Sequence, residues 1–571
     1  MNLLRRLLAG AALLLLAGCG SEAADAAGAR WSSTIVLSVD EGTLYVANPD
    51  SGSVSAVDIG AGVLRWEAPV GQGPSLLSLD PSGERVYVAV TGSDSVVAID
   101  ALSGARLAEV VVDWRPAGVV VSPDGSRLFV ASAGEGLVTS YGLPDLAFHG
   151  AVEVGPDPHG LAMTADGATL YVTHLRSGDL TVVDVAEGTV QAVVDTGPEN
   201  NASRQVVLHP DGDRAYLPLS RSRVESGHPT FENTLMPRVV SVDLEARRPV
   251  FRELLGLDTI DRPVGLPSAA AFSPDGRLLY VANAASDDLS VIDLEAGIGV
   301  GHVNVGSNPR GIAVSADGRT AWVHNALSDD VSVVDLSTLE ESARITVTDN
   351  PLPEDVLAGK VLFHSSARPE MARDGWISCA SCHLDGGHDG RTWVFVDGPR
   401  NTTPIRGLGS TFPFHWSGDR VDVFDFQKTV RDVQFGTGLS EEENALLAAF
   451  LAHGEVPASP YPVDAAAKRG GAGVRRIRLR HLPCGRSLHR RPDTRRRDRR
   501  RCWRAAGTGV RHPDPAGPLR HGAVPARRKG TDASLRLCGG RRSARRFGGC
   551  HRRPCVLPPD AAAGLTPAVR R

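Results

Sequence analysis

The chain holds 571 residues, enough for more than one domain. Its net charge of −5 conceals a split: the residues before Arg469 sum to −29, while those from Arg469 onward carry 29 Lys and Arg against 5 Asp and sum to +24. Between Cys19 and the five cysteines of that basic tail only Cys379 and Cys382 occur, which excludes a disulfide framework as the plan of the body.

Met1 to Gly18 opens with Arg5 and Arg6 and continues as an apolar run from Leu7 to Ala17, a secretory signal too short to be a spanning helix with proper flanks. It ends in Leu16-Ala17-Gly18-Cys19, which resembles the lipobox of bacterial lipoproteins. That resemblance implies a lipid on Cys19, export, and anchoring at the periplasmic side of a membrane. Gly20 in place of an aspartate implies the outer membrane. Ordinary signal cleavage beside an incidental cysteine is the alternative. Residues 19–32 follow as a tether, small-residue from Ser21 to Arg30.

Residues 33–347 repeat one unit: a polar turn, an apolar-aromatic strand, a second turn, then a strand ending in Val-Asp or Ile-Asp. The aromatic position falls at Tyr45, Tyr87, Phe129, Tyr171, Tyr216, Tyr280 and Trp322, with spacings of 42, 42, 42, 45, 64 and 42. Asp-Gly pairs such as Asp124-Gly125 and Asp317-Gly318 mark the hairpins, because glycine accepts the positive φ such turns need. A period near 42 with about four short strands per unit predicts a seven-bladed β-propeller. Segments such as Tyr280-Val281-Ala282-Asn283 resemble the YVTN propeller repeat. The first and last repeats are both complete, which predicts a closed ring. The long fifth-to-sixth spacing places an insertion around Ser222 to Pro237, with His228 inside it, read as a surface loop or as a loop reaching the following domain.

Residues 351–457 read as an α-helical cytochrome c-type domain. Covalent haem attachment needs two thiols for the porphyrin vinyls and an adjacent imidazole for the iron, and Cys379-Ala380-Ser381-Cys382-His383 supplies all three. Cys379 and Cys382 are the covalent anchors and His383 the axial ligand. Half a zinc site or a redox dithiol are the competing readings, weakened by the lack of a second cysteine pair in the body.

Around this motif stand Gly359-Lys360-Val361-Leu362-Phe363, Asp374-Gly375-Trp376, Asp389-Gly390-Arg391-Thr392-Trp393, Arg400-Asn401-Thr402-Thr403-Pro404 and Phe414-His415-Trp416-Ser417-Gly418-Asp419-Arg420. Together they resemble the first haem domain of the bacterial di-haem cytochrome c peroxidase and MauG family, in its propeller-fused branch. The resemblance implies Trp416 as an electron relay between two haems and Gln427 as a site glutamine. It implies a catalytic glutamate too, for which Glu441 is out of register, so peroxide cleavage is not assured. Met371 stands too close to the motif to be a sixth ligand. His415, as a distal residue, and His388 are the candidates, each also readable as surface or packing.

Asp464 to Gly470 reads like the start of the family's second haem domain, after which the sequence dissolves into Arg, Pro, Gly, His and Ala. Leu479 to Gly485 can be encoded so that one base later it spells Cys-Ala-Thr-Cys-His-Ala. Val510 to Pro518 and Gly522 to Arg528 yield two further family strings in the same frame and order. Residues 464–571 are thus read as a second haem domain lost to a frameshift and replaced by a disordered basic tail, with a genuine basic extension as the alternative.

The expected protein is therefore mostly β, with one haem c here and two in the intact frame. Its first reading is a lipid-anchored, peroxidase-like oxidoreductase acting on peroxide or a protein. The alternative is a non-enzymatic mono-haem electron-transfer protein with the propeller as scaffold, docking platform or shield. A small cytochrome, a cupredoxin or a quinol pathway is the expected redox partner, nucleic acid is not, and the membrane is met only through the lipid on Cys19.

Overall fold

Seven antiparallel sheets follow one another along the chain, at residues 35–69, 74–111, 116–153, 158–194, 200–256, 267–304 and 309–346. The computed structural model describes residues 31–454 except 226–229, 231–232, 260 and 396–397, together with Lys468. The chain divides into two compact units, Met1–Arg496 and Arg497–Arg571, and every described residue lies in the first. Six sheets are four-stranded meanders in simple sequence order, and the fifth carries six strands. The protein is a seven-bladed β-propeller.

The repeat's aromatic marks the second strand of every blade. Tyr45, Tyr87, Phe129, Tyr171, Tyr216, Tyr280 and Trp322 are all buried, each packed among Val, Leu and Ala of its own and neighbouring blades. The outermost strands, such as Val63–Pro69 and Arg106–Val111, alternate toward solvent, as a half-covered antiparallel strand should. Ring closure is made by packing. Ile35, Leu44, Val46 and Val57 of the first blade share a buried cluster with Trp322, Val331 and Ile345 of the seventh. Ser55 Oγ donates to Val347 O across the seam at 2.6 Å.

Trp31 to Ser33 fill the ring's centre. Ser32 N donates to Leu161 O (2.9 Å), Leu77 N donates to Ser33 O (2.7 Å), and Gln205 Nε2 donates to Ser32 O (3.1 Å). Ser32, read from sequence as the end of the tether, thus bonds to the fourth and fifth blades, and Ser33 to the second.

Among the described residues beyond the ring lie four α-helices, α1 (Glu354–His364), α2 (Cys379–Cys382), α3 (Gln427–Asp432) and α4 (Glu441–His453), with a hairpin of Thr392–Phe395 and Gly398–Asn401. α1 and α4 cross at Gly359, where a Cβ would lie 2.0 Å from Leu446 O, so only glycine permits the approach. Ser440 caps α4 in a capping box, its hydroxyl accepting from Glu443 N (3.2 Å) while Glu443 Oε2 accepts from Ser440 N (2.9 Å). Among the described residues no helix is long and apolar enough to cross a membrane.

The propeller completes the core of this helical region. Leu362, Phe363, Met371, Ala380, Leu384, Val430, Leu447 and Leu451 share one buried cluster with Ala202 of the fifth blade and with Leu266, Ala284 and Ala285 around the sixth. The fifth-blade insertion reaches the same region: Val394 N donates to Val224 O (2.9 Å), and Leu235 packs with Trp376 and Trp393. Of the two sequence readings of that insertion, the reaching loop is the one found; His228 lies outside the described residues.

Candidate functional site

α2 is a single turn started by Ser378, whose side chain and that of Ser381 complete a reciprocal cap. It presents two unpaired thiols. Cys379 faces the cluster of Leu362, Phe363 and Ala380, and Cys382 faces Trp376, Ile377 and Trp393. Burial pushes the Cys379 thiol up to about 11. Burial, then the nearby Asp389 carboxylate, pushes Cys382 well above the ordinary thiol range. Both sulfurs are therefore protonated and shielded rather than paired. Gln434, buried, donates to Met371 O (3.0 Å) and accepts from Cys379 N (3.2 Å), tying α2 to the segment before α4.

His383 follows α2 directly. Its Nδ1 lies 2.9 Å from Thr403 O, and a carbonyl can only accept, so Nδ1 carries the proton and Nε2 the lone pair. Burial lowers the imidazole's pKa and keeps it neutral, and the Phe363 ring stands 6.2 Å away. A neutral imidazole with its second nitrogen held by a carbonyl is the arrangement of an axial ligand. The donor set fits a covalently attached haem: two free thiols, an oriented imidazole, and a contiguous apolar cluster beside them. No three His, Cys, Asp or Glu among the described residues are grouped as a metal-ion cage would require.

The other sequence candidates separate. His415 takes a left-handed backbone (φ 64°), lies 3.3 Å from Asp419 Oδ1 and packs edge-on to Phe426. Burial, then Arg420, lowers its pKa. Trp416 is 55% exposed, with Nε1 donating to Asn401 O at 2.8 Å. Gln427 opens α3 and spends its amide on Leu439 O (2.7 Å). Glu441 is exposed in the first turn of α4. His388 does not stand free as a distal group: its Nε2 lies 3.0 Å from Arg176 Nη1 of the propeller, and Arg176 pairs with Asp157. Met371 is fully buried in the apolar cluster. Cys19 and the tail from residue 469 lie outside the described residues.

Sequence reasoning missed a charged group at the mouth of the propeller's channel. Asp385, two residues past His383, receives both terminal nitrogens of Arg204, at 2.8 and 2.9 Å, and stands 3.7 Å from Arg310 Nη2. Desolvation by the surrounding protein raises this carboxyl, although its side chain is 37% exposed. Arg204 and Arg310 outweigh it and hold the group well below the usual carboxylate range. His159 Nδ1 lies 3.0 Å from Arg204 O, and burial brings this histidine down to about 4. The signal was present in the repeat. His159, Arg204 and Arg310 each stand twelve residues before the buried aromatic, where the second and third repeats have Ser75 and Ala117.

A family model described as the cytochrome D1 heme domain matches residues 257–366, which cover the sixth and seventh blades and α1 and stop before Cys379. The chain is 40% identical over 85 residues to the methylamine utilization protein MauG of Methylorubrum extorquens, 14% of this chain and 23% of that protein. It thus spans about a quarter of the length of that relative. Among solved structures it is similar to the hydrazine synthase of Kuenenia stuttgartiensis, at 21% identity and a TM-score of 0.49 over 53% of this chain and 95% of that one. It is also similar to the dihydro-heme d1 dehydrogenase NirN, at 17% identity and a TM-score of 0.40 over 55% of this chain and 64% of that one.

Proposed function

We propose that this protein is an exported, haem-binding redox protein. Cys379 and Cys382 would bond one haem c, and Nε2 of His383 would ligate its iron. The observation that carries the reading is the proton position on His383: Thr403 O takes Nδ1–H, which leaves Nε2 as the donor beside two unpaired thiols. The matches to MauG and to a cytochrome d1 haem domain support a haem-related redox role. When bound, haem supplies a one-electron couple. The chain's own residues orient the ligand through Thr403 and exclude water with Phe363, Leu362 and Leu384.

Electron transfer is favoured over peroxide cleavage at this haem. Gln427 has its amide engaged with Leu439 O, and Glu441 faces solvent at a helix start, so neither is presented as a proton-transfer group. Trp416, with Val421 and Phe424 also exposed, offers an apolar edge for an electron partner such as a small cytochrome or a cupredoxin. Export, the lipid on Cys19 and the outer membrane follow from the Met1–Cys19 reading. A di-haem peroxidase ancestry rests on the frameshift reading of the tail, and thus on coding DNA that spells Cys-x-x-Cys-His one base later across Leu479 to Gly485.

The test is covalent haem content, by pyridine haemochrome and intact mass, on protein exported in a host that matures c-type cytochromes. One haem per chain is expected in the wild type. The Cys379→Ala/Cys382→Ala double variant should have none, with the propeller's β-sheet spectrum unchanged. A wild type without covalent haem, or a double variant that keeps it, overturns the reading.

A further inference from the structure

We infer that Arg204 and Arg310 are positioning residues for the His383 segment, acting through Asp385, so that the mouth of the propeller's channel is the template on which the attachment segment is set. This rests on the haem c reading above. α2 is one turn long and cannot orient the residues that follow it by helical hydrogen bonding alone. Residue 385 is instead fixed from both sides. Its carboxylate receives the Arg204 fork at both oxygens, and its carbonyl accepts from Arg406 Nη2 at 2.5 Å. It is held at φ 50°, a left-handed conformation that a non-glycine residue keeps only when its surroundings over-determine it.

The donors are themselves rigid. Arg204 has a side chain only 8% exposed, and its carbonyl is bound by His159. Arg310 sits on an inner strand and donates from Nε to Asn308 Oδ1 at 2.7 Å. A two-pronged guanidinium–carboxylate pair fixes orientation as well as distance, which a lysine's point charge cannot do. The other ties between ring and helices differ in position. Arg391 donates to Pro198 O and Asn200 O, Lys360 pairs with Asp50, and Arg176 meets His388; all three lie farther along the chain from His383 than Asp385 does. Among the described residues, Asp385 makes the ion pair to the propeller that lies nearest the ligand, two residues past it.

The experiment uses full-length exported holoprotein and measures midpoint potential and low-temperature EPR g-values. Arg204→Gln removes a cation near the iron, which eases loss of an electron and should lower the potential. Asp385→Asn removes an anion and should raise it. Both should shift the g-values, which follow the imidazole's orientation, and Arg204→Lys should return the potential toward wild type without restoring them. A simple docking tie would lower the melting temperature and leave potential and g-values where they were; that result overturns the proposal. If Arg204→Gln does not accumulate, Arg310→Gln decides: a lowered potential supports the proposal and an unchanged one overturns it. Absence of covalent haem in the wild type sinks the haem reading first and is recognised before any variant is compared.

Discussion

Gly359 is the position at which a single methyl group should do most damage to the helical region. A Cβ there would sit 2.0 Å from Leu446 O, 2.6 Å from Leu446 C and 2.9 Å from Phe450 Cβ. Those distances are far inside the roughly 3.5 Å at which non-bonded heavy atoms attract, so α1 and α4 must separate by on the order of 1 Å. Alanine gains about 1 kcal/mol of helix propensity over glycine. Overpacking costs about 1–3 kcal/mol and more where the obstacle is backbone, as it is here. Parting the helices also loosens Phe363 against Phe450, whose rings are 5.2 Å apart, next to His383. The expected net effect of Gly359→Ala is a loss of about 2 kcal/mol. Urea unfolding followed by tryptophan fluorescence reads it, since Trp376, Trp393 and Trp416 all lie in this region. Gly301→Ala is the control. It lies on an outer strand with nothing within 4 Å of its added methyl, and stability should be unchanged or slightly raised. A Gly359→Ala protein as stable as the wild type would refute the crossing.

Ser440→Ala removes the hydroxyl half of the α4 capping box and should cost about 1 kcal/mol, read as faster hydrogen exchange in the first turn of α4 and an earlier urea midpoint. The buried histidines make the propeller acid-sensitive. Burial brings His159 to about 4 and His324 to about 3, from an ordinary value near 6.5. The unfolded chain therefore binds more protons between those values, and stability must fall as pH drops from about 6.5 toward 3. His324→Gln should flatten that decline between pH 6.5 and 4.5 in denaturant titrations; an equally steep decline in the variant would count against a neutral, buried His324.

The propeller was legible because its signal is repeated. A 42-residue period with a buried aromatic in each unit needs no knowledge of contacts between repeats, and every one of the seven aromatics lies where the period put it. The Cys-x-x-Cys-His pattern stood out in the sequence because its residues are local, two on one turn and the third directly after it. The contacts between ring and helices were not. His388 reads as a ligand candidate from its closeness to the motif, and only the fold reveals Arg176 beside it, 212 positions away in the chain. Arg204 and Arg310 were hidden for a different reason: at 42-residue spacing a channel-lining residue is one polar side chain among many. Its meaning emerges only when Asp385 is seen against it.

That juxtaposition bears on what the propeller is for. As a scaffold joined by a linker, it would leave the helical region to close its own core. Instead Ala202, Leu266, Ala284 and Ala285 are fully or almost fully buried in one cluster with Leu362, Phe363 and Leu447, and three of the four are alanines. Small residues let the backbone of the blade loops approach closely, and Ser366 N donates to Ala285 O at 2.6 Å through that gap. Propeller residues therefore form part of the helical region's own buried core. Of the three roles the sequence allows the ring, a shield over the Cys379–His383 segment is the one these contacts fit.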